Sequence, residues 1–273
     1  MSMRSTFIKE LRRSITRSVS RFMAIFAIVA LGAGFLAGLN ASAPDMRLTV
    51  DEYFRESNFM DFRLLSTMGF TEDDIQALRE QEGIREVMAV HSTDVEATIG
   101  DKDYILRIHG MPEESENAIN RLVLVEGRMP QAEGECLINP GKIGSESIQV
   151  GDVIVLKDPD GDLNETLDTQ TYTVVGLVQS SYYLTFSFGT TELGNGTVNY
   201  AMYVPDTDFV QDVFTDVYAT VEGTEGISSF SGAYDDRIDG VETNLEIFAE
   251  EREQVRYDEI KEEAQAKINE AWD

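Results

Sequence analysis

Residues 22–39 read FMAIFAIVALGAGFLAGL, and this run of 18 residues without a charged side chain decides the architecture of the chain. As an α-helix it would be roughly 27 Å long, close to the hydrocarbon thickness of a bilayer. Residues 1–21 carry a net charge of +5 and the rest of the chain −33. Basic residues concentrate on the cytoplasmic side of a first membrane helix. The sequence therefore predicts a protein of the cell membrane, single-pass in this chain, with a cytoplasmic N-terminus and an extracytoplasmic body.

A cleavable signal peptide is the alternative explanation of the same run. The basic start fits it, and ASA at residues 41–43 has the pattern of a cleavage site. However, the apolar run exceeds the roughly 7–15 residues of a signal core. We therefore predict a retained transmembrane helix over residues 22–40. Its small residues Ala30, Gly34 and Gly38 recur every four positions, a spacing that lets two membrane helices approach closely.

The segment before the apolar run has an amphipathic pattern. Apolar residues recur every three to four positions with arginines between them, which is typical of a helix on a membrane surface. We predict such a cytoplasmic helix over residues 1–21, and the alternative is a plain topology signal without a stable helix. The arginines expected at the membrane surface are Arg12, Arg13, Arg17 and Arg21.

The body, residues 41–232, has the composition of a folded domain. The chain is 42% hydrophobic and 9% aromatic, which is enough to build a core and argues against bulk disorder. Its acidity argues against nucleic-acid binding, because phosphate contacts need Lys and Arg on one face. The single cysteine, Cys136, excludes an intrachain disulfide. Its strand-like surroundings predict a buried apolar residue instead of a nucleophile.

Short periodic segments place the chain in the α+β class. After the transmembrane helix we predict a mixed α/β layer, an antiparallel β unit and a C-terminal helix that starts a coiled coil. Thr71 and Asp74 form a capping box that predicts a helix start. The other predicted elements of the body are helices over 44–57 and 113–120 and strands over 61–67, 87–99, 104–109, 122–126, 135–138, 152–156, 172–179, 183–188, 198–204 and 217–221.

The tail, residues 233–273, predicts a long helix with a coiled-coil seam. Ile238, Val241, Leu245 and Phe248 follow a 3-4-3 spacing. A second seam, out of phase with the first, begins at Tyr257. The pattern breaks off without a helix stop signal, from which we expect a truncated coiled coil that belongs to a longer polypeptide.

The motifs of enzymes and metal sites are not found in the sequence, so we predict no catalytic residue, no cofactor and no metal site. The G-x-x-x-x-G-K-[ST] of P-loop ATPases is absent. His91 and His109 lie in strand-like runs, where a lone histidine is typically a surface residue or a hydrogen-bonded core residue. The acidic loop 158–168 resembles an EF-hand in its first positions, but Leu163 stands where glycine is needed. A solvated turn and adventitious calcium binding are the alternatives there.

One run is rich in aromatic residues and predicts a hairpin arm. Half of it is expected in the core and half on the surface. The alternative is an exposed patch for a partner or ligand. The residues are Tyr182, Tyr183, Phe186 and Phe188.

Three stretches of the body share the pattern of a known family. They are LVLVEGRMPQAEGECLIN at 122–139, VGDVIVL at 150–156 and YTVVGLVQSSYY at 172–183. With the basic lead and the single apolar run, they resemble the first third of an FtsX-like permease of ABC transporters, the class that includes the MacB macrolide exporter. The family pattern is E-G-R-x-P, G-E, G-D and V-V-G. The matching residues are Glu126, Gly127, Arg128, Pro130, Gly134, Glu135, Gly151, Asp152, Val174, Val175 and Gly176.

The resemblance implies a MacB-like extracytoplasmic core domain in which these residues shape turns. It implies a non-enzymatic permease subunit that couples a separate cytoplasmic ATPase to this domain, in export or mechanotransmission. The implied partners are the membrane, the ABC ATPase subunit, a second permease copy, and an extracytoplasmic protein or a lipid or peptide substrate. Family permeases have three further membrane helices, so the chain is expected to be a partial permease.

Two other classes of function stay open at the level of sequence. One is a membrane-anchored or secreted binding module or coiled-coil adhesin without a transport role. The other is an exported hydrolase, for which no nucleophile or metal motif is found.

Overall fold

The computed structural model describes residues 7–10, 12–13, 18–113, 118–140, 148–157, 163–185 and 187–272. The chain forms two compact units, Met1–Asp51 and Glu52–Asp273. Helix α1 (Val19–Glu56) begins in the first unit and contains Pro44.

α1 exposes an apolar surface over residues 22–39. None of its side chains is buried, and Leu31 and Phe35 are 72% and 70% exposed. Exposing this many large apolar side chains to water is energetically unfavourable, whereas their exposure to lipid is favourable. Within the described ranges, α1 is the one helix whose length and composition would let it cross a membrane.

The second unit combines helices and two sheets. Its helices are α2 (Glu72–Arg79) and α3 (Gly232–Trp272). Its strands are β1 (Phe62–Phe70), β2 (Ile84–Val90), β3 (Ser92–Ile99), β4 (Lys102–Met111), β5 (Val123–Gly127), β6 (Glu135–Asn139), β7 (Val153–Leu156), β8 (Thr171–Gln179), β9 (Tyr200–Pro205) and β10 (Phe214–Val221).

Three strands form an antiparallel sheet in the order β1-β10-β2. Alternate residues of β10, among them Val217 and Ala219, share one buried cluster with residues of both α2 and α3. The helices therefore cover one face of this sheet. α2 starts at the predicted capping box, in which the side chains of Thr71 and Asp74 each accept the other's backbone N–H.

The remaining strands form a sheet in the order β5-β8-β6-β9-β4-β3-β7, and β7 also pairs with β8. Six strands therefore close into a ring, and β5 lies along β8 beside it. Leu106 of β4 and Met202 of β9 belong to the largest core cluster. Ala201 and Tyr203, the residues before and after Met202 in β9, belong to another cluster, on the opposite face of the sheet.

The α+β class is confirmed, but the strands are not all antiparallel as predicted. β4 pairs with β9 and β6 with β8 in parallel. Parallel neighbours need long connections, and β7 or several strands intervene in each case. The predicted strand 87–99 is two strands in different sheets, β2 and β3.

Two further predicted elements differ from the structure. Residues 183–185 and 187–188 of the predicted strand 183–188 are not in a strand. In the predicted helix 113–120, residues 113 and 118 are not helical, residues 119–120 form a turn, and residues 114–117 lie outside the described ranges. Glycine, serine and asparagine nearby favour turns at both places.

The predicted C-terminal helix is present as α3, and its first seam packs inside the domain. Val241, Leu245 and Phe248 are buried against the three-stranded sheet, and Ile238 packs beside them. The apolar spacing that predicts a coiled coil is thus used here for helix-on-sheet packing. A coiled coil farther along α3 stays a prediction.

Candidate functional site

The residues of the family pattern meet at one edge of β8. β7 pairs with the first half of β8 and β5 with its second half, so these two strands lie end to end along that edge. Where they meet, Gly151 N donates to Val174 O at 2.8 Å and Arg128 N donates to Val175 O at 2.9 Å. The motifs E-G-R, G-D and V-V-G, distant in sequence, are brought together at this junction.

Two glycines allow the backbones to approach at the junction. Gly127 and Gly176 are paired across β5 and β8. Gly127 has a φ of +80°, and a Cβ there would lie 2.2 Å from Val175 O. A Cβ at Gly176 would lie 2.5 Å from Arg128 O. Both contacts are with backbone, which cannot move aside easily, so both positions require glycine.

Arg128 and Glu135 fix the turn between β5 and β6. Arg128 Nη1 donates to Glu135 Oε2 at 2.7 Å, and its Nη2 pairs with the other carboxylate oxygen. The carboxylate also accepts from Gln131 N at 2.8 Å. The hydrogen bond from Arg128, followed by that from Gln131, lowers the pKa of Glu135 to about 2. Glu135 therefore holds the turn as an anion and is poorly suited to act as a general acid or base.

The other pattern residues also lie in turns or at strand ends. Asp152 Oδ2 accepts from Gln149 N at 2.8 Å. Gly134 O accepts from Thr173 N at 2.8 Å. Pro130 is half-buried and Glu126 is exposed on β5. These contacts are compatible with the structural role that the resemblance implies, which stays a prediction.

His109 lies in a buried aromatic cluster. Its Nε2 is 2.6 Å from the hydroxyl of Tyr183, and the ring of Tyr182 lies 5.7 Å from the imidazole. Burial, followed by the charges of Arg107 and Arg63, lowers the pKa of His109 to about 3. The imidazole is therefore neutral, and the Tyr183 hydroxyl can donate to it.

His91 is also buried and hydrogen-bonded. Its Nδ1 is 3.0 Å from Asp206 Oδ1 and its Nε2 is 3.0 Å from Gln211 O. It lies between β2 and β3, where the chain passes from one sheet to the other. Both histidines are thus hydrogen-bonded core residues, one of the two interpretations that the sequence allows.

The remaining candidates in the body belong to the core or lie outside the described ranges. Cys136 is fully buried, and burial raises the pKa of its thiol, so it behaves as a small apolar residue, as predicted. Phe188 is buried, while Tyr182 and Tyr183 are half-buried. Phe186 and residues 158–162 of the acidic loop are not among the described residues.

The membrane-side candidates are exposed where they are described. The predicted packing face on α1 consists of Ala30, Gly34 and Gly38. A Cβ built at Gly34 or Gly38 would meet nothing within 4 Å, so both positions leave room for a close neighbour. The predicted surface arginines that are described and exposed are Arg12, Arg13 and Arg21, whereas Arg17 lies outside the described residues.

The sequence interpretation missed two arginines that line a cleft of about 410 Å³ beside α3. Arg252 stands one turn after Phe248, at a position where the seam predicts an apolar residue. Its Nε donates to Asp74 Oδ1 at 2.6 Å. Arg256 follows one turn later. A charged residue at a seam position is the sequence signal that points to this cleft.

The sequence matches the MacB-like periplasmic core domain family over residues 22–267. The chain therefore belongs to this family, and its resemblance to the FtsX-like and MacB-type permeases of ABC transporters is confirmed. An apolar N-terminal helix followed by a MacB-like periplasmic domain fits a membrane protein with an extracytoplasmic domain. The adhesin alternative is not favoured.

Two solved structures are similar to parts of the chain. One is the extracellular domain of the noncanonic ABC-type transporter YknZ from Gram-positive bacteria, with 18% identity, a TM-score of 0.38, and coverage of 60% of this chain and 79% of that one. The other is the periplasmic region of MacB from Actinobacillus actinomycetemcomitans, with 12% identity, a TM-score of 0.35, and coverage of 67% and 75%. No curated protein matches the sequence.

Proposed function

We propose that the chain is the membrane-anchored, extracytoplasmic part of an ABC transporter permease subunit that works with a separate cytoplasmic ATPase. ATP hydrolysis on that subunit moves the extracytoplasmic domain, in export or in mechanotransmission. The observation that carries the proposal is the extent of the family match, which includes the apolar part of α1 as well as the folded domain. No P-loop occurs in the sequence, so hydrolysis is assigned to the partner.

The proposal divides the chain into four parts. Residues 1–21 lie on the cytoplasmic surface, residues 22–40 cross the membrane, residues 41–232 form the extracytoplasmic core domain, and residues 233–273 form a helical segment. The charge difference across the apolar run supports this orientation, with +5 before residue 22 and −33 after it. On this assignment, α1 carries motion between the ATPase and the body.

The proposal also assigns roles to the membrane-side residues. Four arginines, Arg12, Arg13, Arg17 and Arg21, lie at anionic head groups near the ATPase subunit. The small residues Ala30, Gly34 and Gly38 pack against a second permease copy or another membrane helix. The body then binds or pushes an extracytoplasmic protein or a lipid or peptide substrate.

Co-purification of the tagged full chain from native membranes tests the ATPase partnership. We expect a P-loop ATPase to co-purify, and the double substitution Arg12→Glu with Arg13→Glu to reduce its recovery severalfold. The matched control is the double substitution Arg79→Glu with Arg237→Glu, because both arginines are exposed in the body. Equal recovery for both double variants, or no ATPase with the unmodified chain, would contradict the proposal.

A further inference from the structure

A cleft of about 410 Å³ opens between the end of β1 and the middle of α3. Its volume lies in the range of natural ligand sites, roughly 300–1,000 Å³, which combine apolar walls with a few polar groups. The apolar walls include Leu64 and Phe70 on β1 and Phe248 on α3. The charged groups that line it are Asp74, Arg252, Glu253 and Arg256.

Asp74, an acid that lines the cleft, is already paired. The Asp74 carboxylate accepts from Thr71 N and from the Thr71 hydroxyl, each at 2.8 Å, and from Arg252 Nε at 2.6 Å. Burial would raise the pKa of Asp74, but the hydrogen bonds from Thr71 and Arg252 outweigh it and lower the pKa. Asp74 therefore stays ionised and keeps Arg252 in place, and only one nitrogen of Arg252 is used for this contact.

Arg256 is the group that lacks a full set of partners. Its Nη1 donates to Glu259 Oε2 at 3.1 Å, but its Nε is buried and has no hydrogen-bond partner within the described part of the chain. A buried donor left unpaired destabilises the fold, and more so when the group is charged. A ligand that relieves this cost must supply an acceptor, and a carboxylate matches the planar fork of a guanidinium.

The strand that borders the cleft indicates the shape of the ligand. β1 is the terminal strand of the three-stranded sheet, in the order β1-β10-β2. Such an edge strand presents backbone groups to which an extended segment can pair. β1 pairs regularly with β10 from Phe62 to Leu65, and its register shifts between Leu65 and Phe70. An extended peptide can therefore pair along the first part of β1 while its end reaches the arginines of α3.

We propose that this cleft binds the C-terminal end of an extended peptide. The terminal carboxylate accepts hydrogen bonds from Arg252 and Arg256, and the last apolar side chain lies against Phe248 and Phe70. Glu253 also lines the cleft, and its negative charge opposes any acidic group of the ligand that is not paired with Arg252 or Arg256. This proposal depends on the cleft alone, so its test is independent of the ATPase partnership.

Fluorescence anisotropy on the full chain in phosphatidylcholine nanodiscs tests the proposal. The probe is a fluorescein-labelled pool of pentapeptides with Leu, Val or Phe at the last position and a free C-terminal carboxylate. The same pool with an amidated C-terminus tests the need for the charge without any change to the protein. We expect saturable binding of the free-acid pool and at least about tenfold weaker binding of the amidated pool.

Variants locate the binding. Arg256→Gln removes the unpaired donor and should weaken binding of the free-acid pool about tenfold. Arg256→Lys keeps the charge but lacks the guanidinium fork, and an intermediate loss is expected. Arg237→Gln is the matched control, since Arg237 is an exposed arginine of the same helix outside this cleft. It should leave binding unchanged.

Three results would overturn the proposal. Equal binding of the two pools would show that the carboxylate is not recognised. An equal effect of Arg256→Gln and Arg237→Gln would place binding outside the cleft. Absence of saturable binding of the free-acid pool up to about 1 mM, weaker than about −4 kcal/mol, would remove the site altogether.

Discussion

The two sheets of the second unit are held together in different ways. The seven-stranded sheet closes by backbone pairing, with β7 bonded to both β3 and β8. Most of its core residues come from its own strands, and the others come from the segments that connect them. Among the described residues, the three-stranded sheet does not close, and it is completed by side chains of α2 and α3.

This difference separates structural roles from binding. The family pattern lies at the junction of β5, β7 and β8, where glycines and a charged pair fix the backbone. The cleft with an unpaired buried donor lies instead where the three-stranded sheet meets α3. The interior of the closed sheet is filled by a core cluster, whereas the helix packed on the three-stranded sheet leaves a groove beside β1.

The largest expected effect is at the strand junction. Gly127→Ala places a Cβ 2.2 Å from Val175 O at a φ of +80°, so both strain and a backbone clash act against folding. We expect a loss of about 4 kcal/mol in the free energy of unfolding, or no folded product. Thermal unfolding of the full chain in detergent measures it.

The control for this substitution is Gly100→Ala. Gly100 also has a positive φ, +61°, but a Cβ there meets nothing within 4 Å. Alanine at this position should therefore lower the free energy of unfolding only by the cost of backbone strain, about 1–2 kcal/mol. Similar losses at both positions would show that the close approach of β5 and β8 is not needed.

The next largest effect is expected at the helix that completes the three-stranded sheet. Phe248→Ala removes a buried side chain from the shared core of α2, α3 and the sheet. We expect a loss of about 3 kcal/mol, measured by the unfolding midpoint of the full chain. Ile247→Ala, on the same helix at a side chain that is 55% exposed, should change stability by less than about 0.5 kcal/mol. Equal effects would contradict the packing described for α3.

A smaller effect is expected at the start of α2. Thr71→Ala removes the hydroxyl that bonds the backbone and side chain of Asp74. Loss of such a cap costs about 1 kcal/mol. Thr71→Ser keeps the hydroxyl and should restore most of the stability in the same unfolding assay. If serine is as destabilising as alanine, the capping box is not the cause.

The smallest effect is expected at the exposed charged pair of the junction. Glu135 has an ordinary pKa of 4.5 and a folded pKa of about 2. The pair therefore stabilises the fold fully above pH 4.5, and this stabilisation is lost as the pH falls through about 2. In unfolding curves measured from neutral pH downward, the free energy of unfolding should decrease less steeply with acid for Glu135→Gln than for the unmodified chain. Glu126→Gln, an exposed neighbour on β5, is the charge-matched control and should change this decrease less.

Local patterns predicted the elements that depend on local physics. The capping box at Thr71 and the long apolar helix both depend on residues that are close together in the sequence. The ring of strands was not predicted, because parallel pairs such as β4 with β9 depend on contacts between residues 94 positions apart, as for Leu106 and Tyr200. The alternation of apolar and polar residues along a strand shows which of its faces is buried, but it does not show which strand lies beside it.

The candidate site was predictable to a similar degree. The resemblance identified Gly127 and Gly176, but their mutual contact appears only when β5 lies along β8. The pair Arg252 and Asp74 joins residues 178 apart in sequence, so no local pattern could connect them. The apolar seam at Val241, Leu245 and Phe248 predicted burial correctly, but these residues pack on the three-stranded sheet and not on the helix that a coiled coil requires.

The central claim, a body outside the membrane and an N-terminus inside, is tested most directly by labelling intact cells with a membrane-impermeant maleimide. In a Cys136→Ala background, Lys9→Cys reports on the segment before α1, and Glu192→Cys reports on an exposed position of the body. We predict that the variant at position 192 is labelled in intact cells and the variant at position 9 only after lysis. Labelling at position 9 but not at position 192 in intact cells would contradict the account.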